Sequence, residues 1–130
     1  MRIISLVIFV LTMSSSAMAD WAKFYEGKSG TTYLDPATVK YKNGKAKFTV
    51  LSDMNKAVPL PGTEKVFISM VNKYEYDCQK TQFKIVEIGI FTENMAQGET
   101  IYSGPTDNYP WKDANANGSN EYPAFGLICR

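Results

Sequence analysis

Cys78 has the most versatile side-chain chemistry in this sequence, and it follows an acid, Asp77, at the start of a long apolar segment. A cysteine in such a position could be a nucleophile, a metal ligand or one half of a disulfide. A nucleophilic thiol has to lose its proton readily, whereas a neighbouring carboxylate raises the pKa of a thiol. We therefore expect Asp77 to be a turn or strand residue and not an activator of Cys78.

The sequence contains no histidine, which removes histidine-based triads, most zinc sites and the commonest general base at neutral pH. Two carboxylates can hydrolyse a glycosidic bond without histidine, and four acids are available for that role: Asp35, Asp53, Glu75 and Asp77. Nothing in the sequence brings two of them together, and there is neither a glycine-rich phosphate loop nor a cluster of metal ligands. We therefore expect no enzymatic activity, no cofactor and no metal.

Residues 1–19 have the composition of a cleavable secretory signal peptide. A basic start at Arg2 precedes an apolar run over residues 3–13, and small residues ending in Ala17-Met18-Ala19 follow. The run is shorter than the roughly 20 apolar residues that span a membrane, and no cysteine near the expected cleavage site could accept a lipid. We expect one exported domain over residues 20–130, in the periplasm, in the medium or associated with the cell surface.

Export also bears on the role of Cys78. Exported compartments are oxidising, and Cys129 is the only other cysteine in the sequence. An even pair of cysteines in such a chain predicts one structural disulfide. The bridge would close a loop of about 50 residues and stabilise the fold by about 4 kcal/mol.

Most of the chain after the signal segment alternates apolar and polar residues between turn residues, which predicts β-structure. We expect these segments to form an antiparallel sheet. The segments concerned are 21–25, 31–34, the two arms of a hairpin within 39–51, 66–76, 81–91 and 99–102. Asp35-Pro36 is expected to break the second strand, and residues 53–64 and 103–120 are expected to form loops.

The C-terminus changes from an alternating pattern to a helical one. Tyr122, Phe125, Ile128 and Cys129 would share one face of a helix, which predicts a short C-terminal α-helix. Two helical turns are not stable alone in water, but Cys129 would fasten the helix to the strand that carries Cys78. The expected fold class is therefore α+β, with a single antiparallel sheet and a C-terminal helix tethered to one face by a disulfide.

Four lysines surround the clearest turn signal in the chain. Asn43-Gly44 predicts a two-residue hairpin loop, which places Lys42 opposite Lys45 and Lys40 opposite Lys47 on one face. Like charges directly opposite each other are mildly destabilising. The lysines are either a solvated edge that resists aggregation or a docking face for an anionic partner such as a glycan, a lipid headgroup or an acidic protein. The whole chain has a net charge of only +1, which argues against a nucleic-acid partner.

Two aromatic residues of the 103–120 loop are also candidates for binding. Tyr109 and Trp111 flank Pro110, and aromatic side chains on a loop are good interface anchors. The alternative for Trp111 is that it covers the open end of the sheet in a domain with a small core.

Several stretches of the chain resemble the surface-adhesin protein E-like family. They are Trp21, "YLDPATVKYKNGKAKFTVLSD", "YEYDCQKTQFKIVEIGIF", the Pro-Trp pair and the closing "LIC", which together extend over essentially all of residues 20–130. The resemblance implies a curved sheet of about six strands with a C-terminal helix joined by a disulfide to its concave face. Its namesake is an adhesin that forms dimers and binds host extracellular-matrix proteins, so the resemblance also implies a possible homodimer.

The resemblance and the residues together lead to one expected function and one alternative. The first is an exported, non-enzymatic binding protein of the bacterial cell envelope that resembles adhesins for host extracellular-matrix proteins. The alternative is a periplasmic protein that binds a small ligand or assists envelope assembly without contact with a host.

Overall fold

A computed structural model of the 130-residue chain describes residues 20–115 and 125–129, and the predicted signal segment 1–19 lies outside them. The described residues form one sheet of seven strands. The strands are β1 (Ala22–Glu26), β2 (Gly30–Lys42), β3 (Lys45–Pro59), β4 (Val66–Asp77), β5 (Gln82–Phe91), β6 (Thr100–Pro105) and β7 (Lys112–Asp113). Strands β1 to β6 are antiparallel neighbours in sequence order, and β7 pairs with the beginning of β5.

The predicted hairpin between β2 and β3 is confirmed in its register. Lys42 pairs with Lys45, Tyr41 with Ala46, and the next lysine pair follows. Gly44 has a φ of +73° and the residue before it a φ of +54°, which is the conformation that a two-residue type I′ loop requires. The sequence Asn-Gly therefore fixes the loop, and the loop fixes which residues face each other.

The predicted break at Asp35-Pro36 is wrong, because β2 continues through it as a bulge. The Thr38 hydroxyl donates a hydrogen bond to the Asp35 carbonyl at 2.6 Å and accepts one from the Thr49 amide at 2.9 Å. The hydroxyl thus supplies an acceptor to β3 where the ladder is interrupted. A proline, which has no N–H, is tolerated in a strand at a bulge of this kind.

The predicted loop over residues 53–64 is also shorter than expected. Strand β3 continues to Pro59, and after a shift in register Val58 pairs with Phe67. The turn that remains is closed by a hydrogen bond of 2.9 Å from the Leu60 amide to the Lys65 carbonyl. The pairing of β3 with β2 ends at Met54, so Pro59 lies where β3 is an edge of the sheet, and a proline is tolerated there.

The core lies on one face of the sheet, called here the inner face, and is filled by the C-terminus. Phe48 and Tyr74 stack at 5.6 Å between ring centroids, and Phe125 packs on both, at 5.2 Å and 5.0 Å. Phe24 stacks on Phe125 from the first strand. Other buried residues complete the cluster: Ala46, Val50, Tyr76, Phe83, Ala114 and Ile128.

The expected α-helix and the α+β class are wrong. Within the described residues there is no α-helix, and Phe125–Cys129 form a 3₁₀ turn, called here the C-terminal turn. A 3₁₀ turn repeats every three residues, so Phe125 and Ile128 both point to the inner face without a helix. Gly126 lowers the helix propensity of so short a segment. Tyr122, which belonged to the predicted helix, lies outside the described residues.

The predicted disulfide is present and attaches the C-terminal turn to the sheet. Cys78, just after β4, is bonded to Cys129, with 5.7 Å between the Cα atoms and 51 residues between the two in sequence. The Tyr41 hydroxyl also donates a hydrogen bond to the Ile128 carbonyl. A covalent bond and a hydrogen bond therefore fix the turn to two different strands.

The opposite face of the sheet is called here the outer face. A turn at Asn94–Ala96 covers it at the end away from the β2–β3 hairpin, beside Ser69 and Asp53. The Ser69 hydroxyl, fully buried on β4, accepts a hydrogen bond from the Ala96 amide at 3.0 Å and donates one to the Glu93 carbonyl. The Asp53 carboxylate accepts a hydrogen bond from the Met95 amide at 3.0 Å. The two turns thus cover opposite faces, and the hairpin end of the outer face carries the lysines.

Candidate binding surface

The register of the sheet places the hairpin lysines in two rows on the outer face. In one row Lys40 pairs with Lys47, which pairs with Glu75 on β4, and Glu75 pairs with Lys84 on β5. The second row begins with Lys42 and Lys45 and continues to Asp77 and Gln82. Neighbouring strands are about 4.8 Å apart, and alternate residues of one strand are about 7 Å apart. The four lysines, called here the lysine cluster, therefore start from a compact area of the sheet.

The two nearest acids have other partners. The Glu75 carboxylate lies 3.6 Å from Lys84 Nζ. The Asp77 carboxylate accepts hydrogen bonds of 3.0 Å from the amides of Gln79 and Lys80. Over residues 20–115 and 125–129 no member of the lysine cluster forms an ion pair. The cluster is therefore a local excess of positive charge on a nearly neutral chain.

The turn that follows β4 keeps Asp77 ionised. The hydrogen bond from the Lys80 amide is the main reason that the pKa of Asp77 lies below its ordinary value, and the Gln79 amide and the charge of Lys45 act in the same direction. Partial burial opposes these effects without cancelling them. Asp77 is thus a charged turn residue beside the cluster, as its sequence position predicts.

The lysine cluster lines a groove of about 360 Å³. Tyr41, Asn43 and Glu75 complete the lining, so Glu75 is the one acid among the described residues of the wall. Small-molecule pockets typically have volumes of about 300–1,000 Å³ and are mostly apolar. A groove at the lower end of that range with a cationic wall is suited to an anionic group that approaches from the solvent.

Trp111 belongs to the same surface, although it is distant from the hairpin in sequence. The centroid of its ring lies 5.5 Å from Lys45 Nζ and 4.9 Å from Lys84 Nζ, which are cation–π distances. Lys45 is on β3 and Lys84 on β5, so the ring lies above the intervening strand β4. Lys112 of β7 pairs with Phe83 of β5, and this pairing holds the loop beside β5 and so positions Trp111.

The two aromatic candidates are separated by the structure. Tyr109 packs against the core cluster of the inner face, and Lys112 Nζ lies 4.8 Å from the centroid of its ring. Of the predicted binding residues, Trp111 and the lysine cluster are therefore brought together, and Tyr109 is placed with the core.

Sequence patterns did not identify Lys84 and Glu75 as part of this surface. Glu75 is expected from its position alone to be solvated, yet only 16 % of its side chain is exposed. The signal that could have found the pair is the turn that follows Asp77, because it sets the register that places Lys84 opposite Glu75. No group of three or more acidic or cysteine side chains in the described ranges is arranged to hold a metal ion.

Comparison with known proteins identifies relatives by sequence family and by fold. Residues 21–130 match the family model described as surface-adhesin protein E. The crystal structure of protein E from non-typeable Haemophilus influenzae is similar over 88 % of this chain and 78 % of that chain, with a TM-score of 0.60 and 13 % identity. A second crystal form of Haemophilus influenzae protein E has a TM-score of 0.61 and 13 % identity over 86 % and 88 % of the two chains.

The similarity to the solved structures establishes the fold, and no curated protein matches the sequence. Among the helical segments of the described residues, none is long and apolar enough to cross a membrane. The family model covers almost the whole sequence after the predicted signal segment. The chain therefore belongs to the surface-adhesin protein E family.

Proposed function

We propose that this chain is an exported, non-enzymatic adhesin of the cell envelope that binds acidic components of the host extracellular matrix through the lysine cluster and Trp111. Membership of the surface-adhesin family supports the general function. The observation that carries the proposal is the groove whose four lysines form no ion pair among the described residues. Residues 1–19, with the composition of a secretory signal, support export.

Charge complementarity explains how such a surface would bind. A single exposed ion pair contributes only about 0.2–1 kcal/mol, so one lysine would hold a partner weakly. Four lysines in a compact area can act on one partner at the same time, and a positive area also speeds the encounter with an anionic one. Trp111 adds a half-buried aromatic surface at the side of the groove, of the kind that is common at interface anchors.

The test is to neutralise the cluster with Lys40→Gln, Lys42→Gln, Lys45→Gln and Lys47→Gln and to measure binding to an immobilised basement-membrane extract. We expect at least about a tenfold loss of affinity, since every 1.4 kcal/mol corresponds to a factor of ten. Thermal stability should not fall, because the substitutions remove repulsion between opposed lysines.

The matched control neutralises four exposed lysines elsewhere, Lys23, Lys28, Lys56 and Lys65. This variant loses the same amount of positive charge as the cluster variant. Its affinity should stay close to that of the wild type, because the four substituted lysines lie outside the lysine cluster. If the control and the cluster variant lose affinity equally, binding depends on net charge and the assigned surface is wrong. If the cluster variant binds as well as the wild type, the site is also wrong.

The alternative is a periplasmic protein without host contact. Residues 1–19, with the composition of a secretory signal, would export the chain in either case. Cell fractionation separates the two functions. An adhesin is accessible to protease on intact cells or found in the medium, whereas a periplasmic protein is protected on intact cells and released by osmotic shock.

We also propose that two copies of the chain pair along the free edge of β6, the side of the strand that does not pair with β5. This strand, "TIYSGP", contains no charged residue, and Tyr102 is 47 % exposed. In contrast, the other edge strand, β1, contains Lys23 and Glu26. Charged side chains protect sheet edges from pairing, so β6 is the edge that is open to a second copy.

A further inference from the structure

The only acid that lines the lysine groove in the described part of the chain, Glu75, lies between two lysines. Its row on the outer face contains Lys47 on one side and Lys84 on the other. The structure shows an ion pair of 3.6 Å with Lys84 and none with Lys47. Glu75 is therefore directed away from the hairpin, and among the four lysines only Lys45 interacts with a neighbouring ionised acid, Asp77.

Trp111 stabilises this arrangement. Lys84 Nζ lies 4.9 Å from the centroid of the Trp111 ring and also contacts Glu75, so the ammonium group is attracted by both neighbours. The side chains of Lys84 and Glu75 are only 30 % and 16 % exposed, and charge interactions are stronger where water is excluded. Without this pair, the nearest cation for the Glu75 carboxylate on the same row would be Lys47.

We propose that the groove binds a sulfated polysaccharide, and that Lys84 and Trp111 are positioning residues that keep Glu75 from neutralising the lysine cluster. The proposal rests on the proposed function and specifies the acidic component of the matrix as its sulfated sugar chains. It also assigns a role to Glu75, which lines the groove, and to its partner Lys84.

The chemistry of the cluster suits a sulfate. All the basic residues of the described chain are lysines, since the two arginines, Arg2 and Arg130, lie outside it. A lysine ammonium is a compact point charge with three donors that binds tetrahedral oxyanions such as phosphate, and sulfate has the same shape.

The layout of the cluster favours a polymer over a small ion. Opposed lysines start about 5 Å apart and could share one sulfate, while the next pair begins about 7 Å along the strands and could bind another group. In an exposed groove each contact is weakened by salt. Successive charges on one chain offset this loss because each bound group raises the local concentration of the next.

The class of ligand is tested by titrating the protein with heparin, with desulfated heparin and with polyglutamate at physiological salt. We expect heparin to bind at least about tenfold more tightly than either control, and the lysine-cluster variant to lose this preference. If desulfated heparin or polyglutamate binds as tightly as heparin, the sulfated class is wrong, while an adhesin for acidic matrix components remains. The proposed function itself fails if the cluster variant still binds the basement-membrane extract, or if it loses no more affinity than the matched control does.

The positioning role is tested with Lys84→Met, Glu75→Gln and the double variant. We expect Lys84→Met to weaken heparin binding by about two- to fivefold, the effect of a partly exposed charge contact. Glu75→Gln should restore most of that affinity in the Lys84→Met background and change it little alone. A double-mutant cycle isolates this coupling.

The opposite result is equally clear. If Glu75→Gln raises heparin affinity by the same factor with and without Lys84, the two residues act only through their charges and the positioning role is wrong. Trp111→Leu provides a second measurement, since it keeps every charge. It should weaken heparin binding, and Glu75→Gln should again restore it, with the thermal transition confirming that each variant is folded.

Discussion

At the scale of single residues, the acids beside the lysine cluster have structural tasks, and neither forms an ion pair with a lysine of the cluster. Asp77 binds two turn amides and is kept ionised by them. Its neighbour Cys78 is fully committed to the disulfide with Cys129. The chemistry that Asp77-Cys78 suggested in the sequence is therefore used to terminate a strand and to anchor the C-terminal turn.

Asp77→Asn tests the role of this charge, because asparagine keeps an oxygen acceptor for the turn amides. The folded state lowers the pKa of Asp77 below its ordinary 3.8. The carboxylate therefore stabilises the fold above the unfolded-state pKa, and this stabilisation is lost as the pH falls through the lower, folded-state pKa. We expect the variant to be less stable at neutral pH and to lose less stability below about pH 4. Urea unfolding at neutral and acidic pH measures both, and an unchanged acid dependence would contradict the assignment.

The positions of the four lysines could be predicted at this scale, but the approach of Trp111 to them could not. The four lysines share a face because a two-residue loop determines the pairing of its arms. The approach of Trp111 to Lys45 depends instead on the pairing of β7 with β5 across a long loop. No local pattern encodes that distance, because it results from tertiary packing.

At the scale of elements, the differences from prediction have one cause, which is that packing decided the conformation of ambiguous segments. The C-terminal segment places its apolar residues at a spacing that both an α-helix and a 3₁₀ turn satisfy for Phe125 and Ile128. Asp35-Pro36 is typical of a turn, but in the structure it lies in a bulge within β2. The order of the strands follows a simpler rule, since consecutive strands joined by short turns pair as neighbours.

Thr38→Val tests whether the hydroxyl is what allows β2 to continue through its bulge. Valine has the same shape but leaves the Thr49 amide without its acceptor and the Asp35 carbonyl without its donor. An unsatisfied, partly buried group costs about 1–3 kcal/mol. We expect a loss of that size in the free energy of unfolding, measured in urea. Thr63→Val serves as the control, since Thr63 makes comparable hydrogen bonds at an exposed turn and should change stability less.

Phe125→Ala tests the C-terminal turn as the element that completes the core. The side chain is fully buried among three aromatic rings, and truncating a buried phenylalanine costs about 3–5 kcal/mol. Leu127 lies in the same turn and is 56 % exposed, so Leu127→Ala is expected to cost less than about 0.5 kcal/mol. Equal effects of the two substitutions on thermal unfolding would show that the turn does not fill the core as described.

At the scale of the whole molecule, the sheet leaves different surfaces for different contacts. The hairpin end of the outer face is cationic, and the β6 edge at the other side of the sheet is uncharged. A lysine-rich strand would meet its own charges if two copies paired through it. The lysine cluster is therefore suited to a foreign, anionic partner, and the β6 edge to a second copy of the chain.

Ser103→Lys tests the proposed pairing along β6. In a symmetric antiparallel pair the new lysine would approach the same residue or its neighbours in the other copy, and like charges across strands are destabilising. We expect sedimentation to show a shift from dimer to monomer without a change in the sheet signal of circular dichroism. Ser29→Lys, in the exposed turn before β2, adds the same charge elsewhere and should leave the dimer intact. A wild type that is already monomeric at high concentration would contradict the pairing.

The place of Phe125 in the sequence has a consequence for folding. Strands β1 to β5 pair with sequential neighbours, whereas Phe125 joins Phe48 and Tyr74 from the far side of a sequence separation of 51 residues between the bonded cysteines. Contacts of such long separation close a long loop and slow folding. Before they form, the rings of Phe48 and Tyr74 have no cover from the C-terminal turn. The same bond that stabilises the finished fold therefore joins the segments whose meeting costs the chain most entropy.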